Sequence, residues 1–160
     1  PHLAMELFKS MAGVRIEHIP YKGGGASVTA LIGGEAQVTI LDAGVLMPHV
    51  KSGKLRALAV SSAEPSALTP GLPTVAASGL PGFEAVGMTG SWAPAKTPAA
   101  IVNRLNQEIV RYITRPEIRE RLLNAGEEII GNSPEQFAEL IKSDLVKTSK
   151  VIKEAGIKSN

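Results

Sequence analysis

Apolar side chains recur along this chain with two alternating periods, one typical of helices and one closer to that of strands. In the first sixty residues the helical period predicts helices over residues 3–11, directly after residues 22–25, and over 43–51. Residues 14–21, 37–41 and 55–60 between them favour short strands, and the last of these is almost entirely apolar. Strands that alternate with helices indicate an α/β fold, and the apolar strand is typical of a buried parallel sheet.

The second half of the chain has a different pattern. Residues 61–81 are rich in proline and glycine and predict an irregular connection with a short helix over 74–77, followed by a strand over 84–92. Three helices then follow, with a short strand over 127–130 before the last. Thr97 and Pro98 begin the first, Pro116 begins the second, and a capping box at residues 133–136 begins the third. The first carries a stripe that we expect to be buried: Ile101, Leu105, Ile109 and Tyr112.

These late helices have little sheet to cover. Each has one apolar stripe, and helices of this kind normally pack on a sheet, yet the sequence around them supplies only one or two strands. They therefore pack on each other, or their sheet lies in residues outside this sequence. The sequence begins Pro1-His2-Leu3 without an initiator methionine or a signal peptide. We therefore expect a chain that is part of a longer protein.

Composition excludes several classes of function. The 160 residues contain 17 Lys and Arg against 15 Asp and Glu, a formal charge of +2, so no concentrated basic surface for nucleic acid is expected. Cysteine is absent, which excludes disulfides, thiolate metal sites and cysteine nucleophiles. Apolar residues make up 44% of the chain and can form a core, but no run is long enough to span a membrane.

No catalytic or metal-binding constellation is evident. His2, His18 and His49 lack partners at metal-ligand spacing, and we interpret them as structural or surface residues. Ser61 and Ser62 are not part of a nucleophile-elbow motif. Glu127 and Glu128 are adjacent, so on a strand they point apart, as at a solvated edge. We expect no cofactor, no metal and no catalysis.

Two features are candidates for a binding site. Tyr21, Lys22, Gly23, Gly24 and Gly25 form a glycine-rich turn between a predicted strand and a helix, where backbone N–H groups can converge on an anion. A plain tight turn explains the same residues, and the spacing of a nucleotide-binding P-loop is missing. Asp42 follows a predicted strand, the place where open α/β sheets bind ligands, but it also suits the N-cap of the next helix.

The order of motifs resembles the Bug (TctC-like) family of tripartite tricarboxylate transporter receptors. The resemblance runs nearly end to end and corresponds to the C-terminal half of a family member. It is carried by these segments: His2-Leu3 with Glu6-Leu7-Phe8, Pro20-Tyr21-Lys22-Gly23-Gly24, Gly33-Gly34, Leu55-Arg56-Ala57-Leu58-Ala59-Val60, Leu72-Pro73-Thr74-Val75, Ala93-Pro94 with Thr97-Pro98, Gly126, Ser133-Pro134-Glu135, and Ile152-Lys153-Glu154-Ala155-Gly156-Ile157-Lys158.

The resemblance implies a partial α/β fold like that of type II periplasmic binding proteins. Residues 1–84 would form most of the second lobe, and 85–160 a crossover strand and the C-terminal helices of the first. It also implies a periplasmic, non-enzymatic receptor that binds a small carboxylate between two lobes and delivers it to a membrane permease. Residues 21–25 and Asp42 match ligand-binding positions of the family, whereas His2 is expected to begin a helix.

Two other hypotheses remain open from the sequence. The chain could be a structural or interaction module without a ligand, in which a homodimer covers the apolar helix faces. It could also be an enzyme that acts on an anionic substrate at the glycine-rich turn, although no acid or base partner is evident there.

Overall fold

Six helices make up the regular structure of the computed structural model, which describes residues 1–157. The last three positions of the predicted 85–160 segment, including Lys158 of the C-terminal motif, lie outside this range. No helix in the described range combines the length and apolar character that a bilayer span requires. The helices are α1 (His2–Ala12), α2 (Gly24–Gly33), α3 (Ala43–Lys51), α4 (Ala99–Ile113), α5 (Pro116–Asn124) and α6 (Pro134–Glu154).

The ends of the helices follow local sequence signals. Gly13 and Gly34 adopt left-handed conformations, with φ of 63° and 80°, and end α1 and α2. The predicted capping box is confirmed at α6, where the Ser133 N–H donates to Gln136 Oε1 at 2.9 Å and the Gln136 N–H donates to Ser133 Oγ at 3.2 Å. One start is displaced, because Pro98 rather than Thr97 occupies the N-cap of α4.

The predicted strands do not assemble into a sheet within residues 1–157. One isolated parallel bridge joins Val60 to Thr74. The Val60 N–H donates to the Pro73 carbonyl and the Val75 N–H to the Val60 carbonyl, both at 2.9 Å. The other predicted strands have no regular secondary structure, and Leu58 is 65% exposed rather than buried. A strand needs neighbours along its length, and the residues in the described range provide them only at single points.

The connection after residue 61 is held by turns. The short helix predicted over 74–77 is wrong, because residues 75–79 form successive turns. Thr74 is buried, and its Oγ1 accepts the Ala77 N–H at 3.0 Å. Phe83, which is 1% exposed, anchors the end of this connection and meets Phe8 of α1 edge to face at 6.0 Å between ring centroids. The turn region is therefore fixed to α1 by an aromatic contact.

The chain divides into two compact units. The first comprises residues 1–87 with the chain from Lys150 onward, and the second comprises residues 88–149. Within the described range, every buried apolar side chain belongs to the first unit: Val28, Ala30, Phe83 and Val151. In the second unit α4 packs against α5, but no apolar side chain described there is fully buried.

The predicted buried stripe of α4 is wrong. Ile101, Leu105 and Tyr112 are about half exposed and Ile109 is 38% exposed. A neighbouring face of the helix makes internal contacts, since Asn106 Nδ2 donates to the Asn132 carbonyl at 2.8 Å. The helical period gave the correct spacing of the stripe, but within the described residues the stripe stays about half exposed, with the Arg115 guanidinium 5.5 Å from the centroid of the Tyr112 ring.

Candidate functional site

The glycine-rich turn leads directly into the N-terminus of α2. Tyr21 is half-buried, Lys22 is exposed, and the Tyr21 carbonyl accepts the Gly23 N–H at 2.9 Å. Gly23 is the N-cap of α2 and has φ 91° and ψ 170°, a conformation that side chains other than that of glycine rarely adopt. The turn therefore requires glycine at this position for its own geometry.

The start of α2 presents backbone donors. The Gly23 carbonyl accepts the Ser27 N–H at 3.3 Å, which is the first bond of the helix. The three preceding N–H groups, those of Gly24, Gly25 and Ala26, have no carbonyl within the helix to bond, and no side chain caps them. These N–H groups and the positive end of the helix dipole can receive an anion.

Asp42 occupies the N-cap of α3, but its carboxylate does not cap the helix. Its carbonyl accepts the N–H groups of Val45 at 3.0 Å and Leu46 at 3.3 Å. Its side chain makes no capping hydrogen bond and is exposed. The sequence left open whether Asp42 caps α3 or binds a ligand. Asp42 does occupy the N-cap position of α3, but its carboxylate makes no capping hydrogen bond.

The starts of α2 and α3 lie side by side. A methyl group built on Gly24 would lie 3.7 Å from Val45 Cγ1 and 3.9 Å from Leu41 Cδ2, so the two helices meet at this glycine. The structure thereby brings the turn of residues 21–25 to the residues that flank Asp42. All of them belong to the first compact unit.

Gly87 is a neighbour of Asp42 that the sequence did not indicate. A Cβ atom built on Gly87 would lie 3.9 Å from Asp42 Oδ1. The two residues are far apart along the chain, and neither periodicity nor a local motif connects them. The only available signal was the glycine itself within a predicted strand, a position where backbone often approaches another group closely.

The histidines and a surface groove are the other features that could suggest a site. His2 begins α1, as predicted, and its ring stacks on that of His18 with centroids 3.9 Å apart; its Nε2 lies 3.6 Å from Glu6 Oε1. Within residues 1–157 no group of three or more His, Asp or Glu side chains could hold a metal ion. An open groove beside Lys9 and residues 14–17 contains none of the predicted site residues.

Comparison with known proteins identifies the family. Residues 1–157 match the TctC family, described as the tripartite tricarboxylate transporter family receptor. The chain belongs to this family. This match confirms the family resemblance seen in the sequence. TctC proteins are solute-binding receptors and not enzymes, so the enzyme hypothesis loses its basis.

Curated relatives show how much of a family member the chain represents. It is 36% identical over 160 residues to the UPF0065 protein in the tcbD-tcbE intergenic region of a Pseudomonas species. This match covers 99% of the TctC chain and 48% of the relative. It is 33% identical over 157 residues to Protein BugT of Bordetella pertussis, with coverages of 98% and 48%. The chain thus spans about half the length of these relatives.

Solved structures agree on the fold. R. palustris Rpa4515 with adipate is 34% identical, with a TM-score of 0.81 and coverages of 97% of this chain and 52% of that one. MatC (Rpa3494) from Rhodopseudomonas palustris with bound malate is 26% identical, with a TM-score of 0.69 and coverages of 94% and 52%. The periplasmic binding protein BugD is 30% identical, with a TM-score of 0.79 and coverages of 99% and 54%. The TctC chain therefore has the fold of about half a periplasmic binding protein.

Proposed function

We propose that this TctC chain forms one wall of a periplasmic receptor that binds a small carboxylate and delivers it to a membrane permease. The observation that carries the proposal is the pair of neighbouring helix starts: α2 begins with open backbone donors, and α3 begins at Asp42, whose carboxylate makes no capping hydrogen bond. Two related structures, named with adipate and with malate, support a carboxylate as the ligand class.

Each part of the proposed site has a distinct chemical role. The N–H groups of Gly24, Gly25 and Ala26 donate to a carboxylate oxygen of the ligand, and the helix dipole adds to this attraction. A bare anion beside Asp42 would be repelled, so Asp42 accepts a hydrogen bond from an ordered water or from a hydroxyl of the ligand. Lys22 is exposed at the same turn and contributes positive charge.

The proposed architecture follows the two-lobed type II binding proteins. Residues 1–84 form most of the α/β second lobe in this proposal, and 85–160 contribute a crossover strand and helices to the first. In this proposal the isolated bridge at Val60 and the predicted strands that lack neighbours are parts of sheets. The other strands of these sheets belong to the half of each matched structure that this chain does not cover. Ligand would be held when the lobes close over it.

An NMR titration of the chain with adipate tests the site. Because one wall alone makes few contacts, we expect a dissociation constant on the order of millimolar, with amide shifts concentrated at residues 23–26. Asp42→Ala removes the acceptor and should reduce these shifts, whereas the matched control Asp144→Ala, an exposed change on α6, should leave them unchanged. Shifts spread evenly over the surface, or none at residues 23–26, would contradict the proposal.

A further inference from the structure

The rings of His2 and His18 stack face to face, although helix α1 separates the two residues along the chain. Their centroids lie 3.9 Å apart and their planes are 8° from parallel. His2 is the first residue of α1, and His18 lies shortly before the turn of residues 21–25. The stack therefore joins the start of α1 to the segment that leads into the glycine-rich turn.

Residues 14–18 return along α1 to reach this contact. The helix rises about 16 Å over its 11 residues and ends at Gly13. Five residues of chain span at most about 18 Å when fully extended, so the segment needs nearly its whole reach to bring His18 back beside His2. The Val14 N–H donates to the Lys9 carbonyl at 3.3 Å and holds one end of the segment. The histidine stack holds the other end.

Backbone hydrogen bonds within the described part of the chain do not hold residues 15–20, because none of these residues donates or accepts one there. The helix on which they lie is fixed independently. Phe8 of α1 meets the buried ring of Phe83 edge to face. If the stack opens, the segment can therefore leave α1 while α1 keeps its place.

The carboxylate at the stack can offset one added proton but not two. Glu6 Oε1 lies 3.6 Å from His2 Nε2, so a proton on His2 has a negative charge beside it. The same carboxylate already binds Lys9, whose Nζ donates to its two oxygens at 2.7 and 2.9 Å. With a proton on His18 as well, Glu6 would face three cations, and the two stacked rings would repel each other.

The other charged groups next to these residues do not reverse this balance. Arg15 and Glu17 of the segment line a groove together with Lys9, and their two charges are opposite and equal. The amino group of Pro1 directly precedes His2 in the chain and adds positive charge. The second proton on the stack is therefore the one that the folded arrangement disfavours.

We propose that the His2–His18 stack is an acid-sensitive latch, which holds residues 14–20 on α1 near neutral pH and releases them when both rings are protonated. Imidazole is the side chain that ordinarily gains its proton between about pH 8 and pH 5. Neutral rings stack favourably, whereas two cations in contact repel. The latch goes beyond the proposed function because it requires no ligand. Its consequence is that the chain entering the glycine-rich turn loses its anchor in acid.

NMR relaxation of the backbone amides in the full chain tests the latch. We expect order parameters of about 0.85 for residues 15–19 at about pH 7.5, and values below about 0.6 at about pH 5.5. His18→Phe keeps a flat ring for His2 to stack on but gains no proton, so its order parameters should stay high at both pH values. His49→Phe, on α3, replaces the remaining histidine and should keep the full pH dependence. The amino group of Pro1 is common to all these chains.

Three results would overturn the latch. These are equal order parameters of the parent chain at the two pH values, an acid-induced loss of order in His18→Phe as large as in the parent, or a pH dependence that His49→Phe abolishes. Circular dichroism checks that each chain keeps its helices, and His2→Phe provides the same test if His18→Phe does not fold. The adipate titration at neutral pH does not depend on this measurement, so failure of the ligand site and failure of the latch give different outcomes.

Discussion

Asp42 and Gly87 are neighbours: a Cβ atom at position 87 would lie 3.9 Å from Asp42 Oδ1. This is ordinary van der Waals distance, so a methyl group fits there, whereas a longer side chain would reach over the carboxylate. The absence of a side chain at Gly87 thus leaves Asp42 accessible, although helix α3 and the turns of residues 61–82 separate the two residues along the chain. A larger side chain at position 87 can therefore block access to the Asp42 carboxylate while Asp42 and residues 21–25 stay unchanged.

Substitution of Gly87 should separate accessibility from stability. We expect Gly87→Leu to weaken adipate binding about fivefold, equivalent to about 1 kcal/mol, because the side chain excludes ligand from Asp42. Gly87→Ala should retain binding. Both variants should change the free energy of unfolding by less than about 0.5 kcal/mol, since the site is on the surface. Amide shifts and urea unfolding measure the two quantities, and equal binding by Gly87→Leu and Gly87→Ala would disprove the assignment.

The turn before α2 should tolerate a methyl group at one glycine and not at its near neighbour. Gly23→Ala places a side chain at φ 91° and should cost about 1–3 kcal/mol of stability. Gly25→Ala is the matched control, because position 25 is helical and a Cβ there meets nothing within 4 Å; it should be neutral or stabilise by up to about 1 kcal/mol. Chemical denaturation measures both, and similar losses for the two variants would refute the conformational argument.

Phe137 lies over the backbone of Gly90. A Cβ atom built on Gly90 would lie 2.7 Å from Phe137 Cε1 and closer still to Cζ, so the ring has to move if the glycine is replaced. We expect Gly90→Ala to destabilise the chain by about 1–2 kcal/mol. A double-mutant cycle with Phe137→Leu, which shortens the clashing side chain, should recover about 1 kcal/mol of this loss. Strictly additive effects would show that the loss comes from elsewhere.

The start of α6 should be sensitive to acid through Glu135. Its own backbone N–H and the Ser133 hydroxyl, which donates to Glu135 Oε2 at 2.8 Å, hold the pKa of this carboxyl below its ordinary value. A lowered pKa means that the folded state favours the ionised form. The stabilisation is therefore present at pH values above the ordinary pKa of a glutamate and is lost as the pH falls through the lowered one.

Glu135→Gln tests this dependence. The difference in unfolding free energy between the parent and this variant should shrink as the pH is lowered from about 6 to about 3, because the parent loses its advantage on protonation. Glu117→Gln, in the first turn of α5, is the control for removal of a carboxylate at a helix start. Urea unfolding at several pH values provides the data, and a difference that does not vary with pH would contradict the prediction.

Helix ends were predictable because their signals are local. Gly13 and Gly34 end α1 and α2 through conformations that depend on the glycine alone, and the Ser133–Gln136 capping box satisfies its own backbone groups. The bounds of α3 agree with the sequence prediction for the same reason. The glycine-rich turn was predicted at its correct place, directly before α2.

Strands and burial could not be predicted in the same way because they depend on distant residues. Leu58 belongs to a run that reads as a buried strand, and Leu105 to a stripe that reads as a buried helix face, yet both are exposed in the described structure. Apolar periodicity identifies the face of a helix or strand that is suited to burial, but it does not identify the residues that bury it. The exposed surfaces agree with a chain that spans about half the length of its relatives.

The sequence by itself determined the family through the order of its motifs, and it determined most helix boundaries and the residues of the turn because these depend on neighbours within a few positions. Only the tertiary structure decided that the starts of α2 and α3 lie together, that the Asp42 carboxylate does not cap α3, and that Gly87 borders it. It also decided which face of α4 remains about half exposed. These facts depend on contacts between residues far apart in the chain, and such contacts arise from packing rather than from local conformational preference.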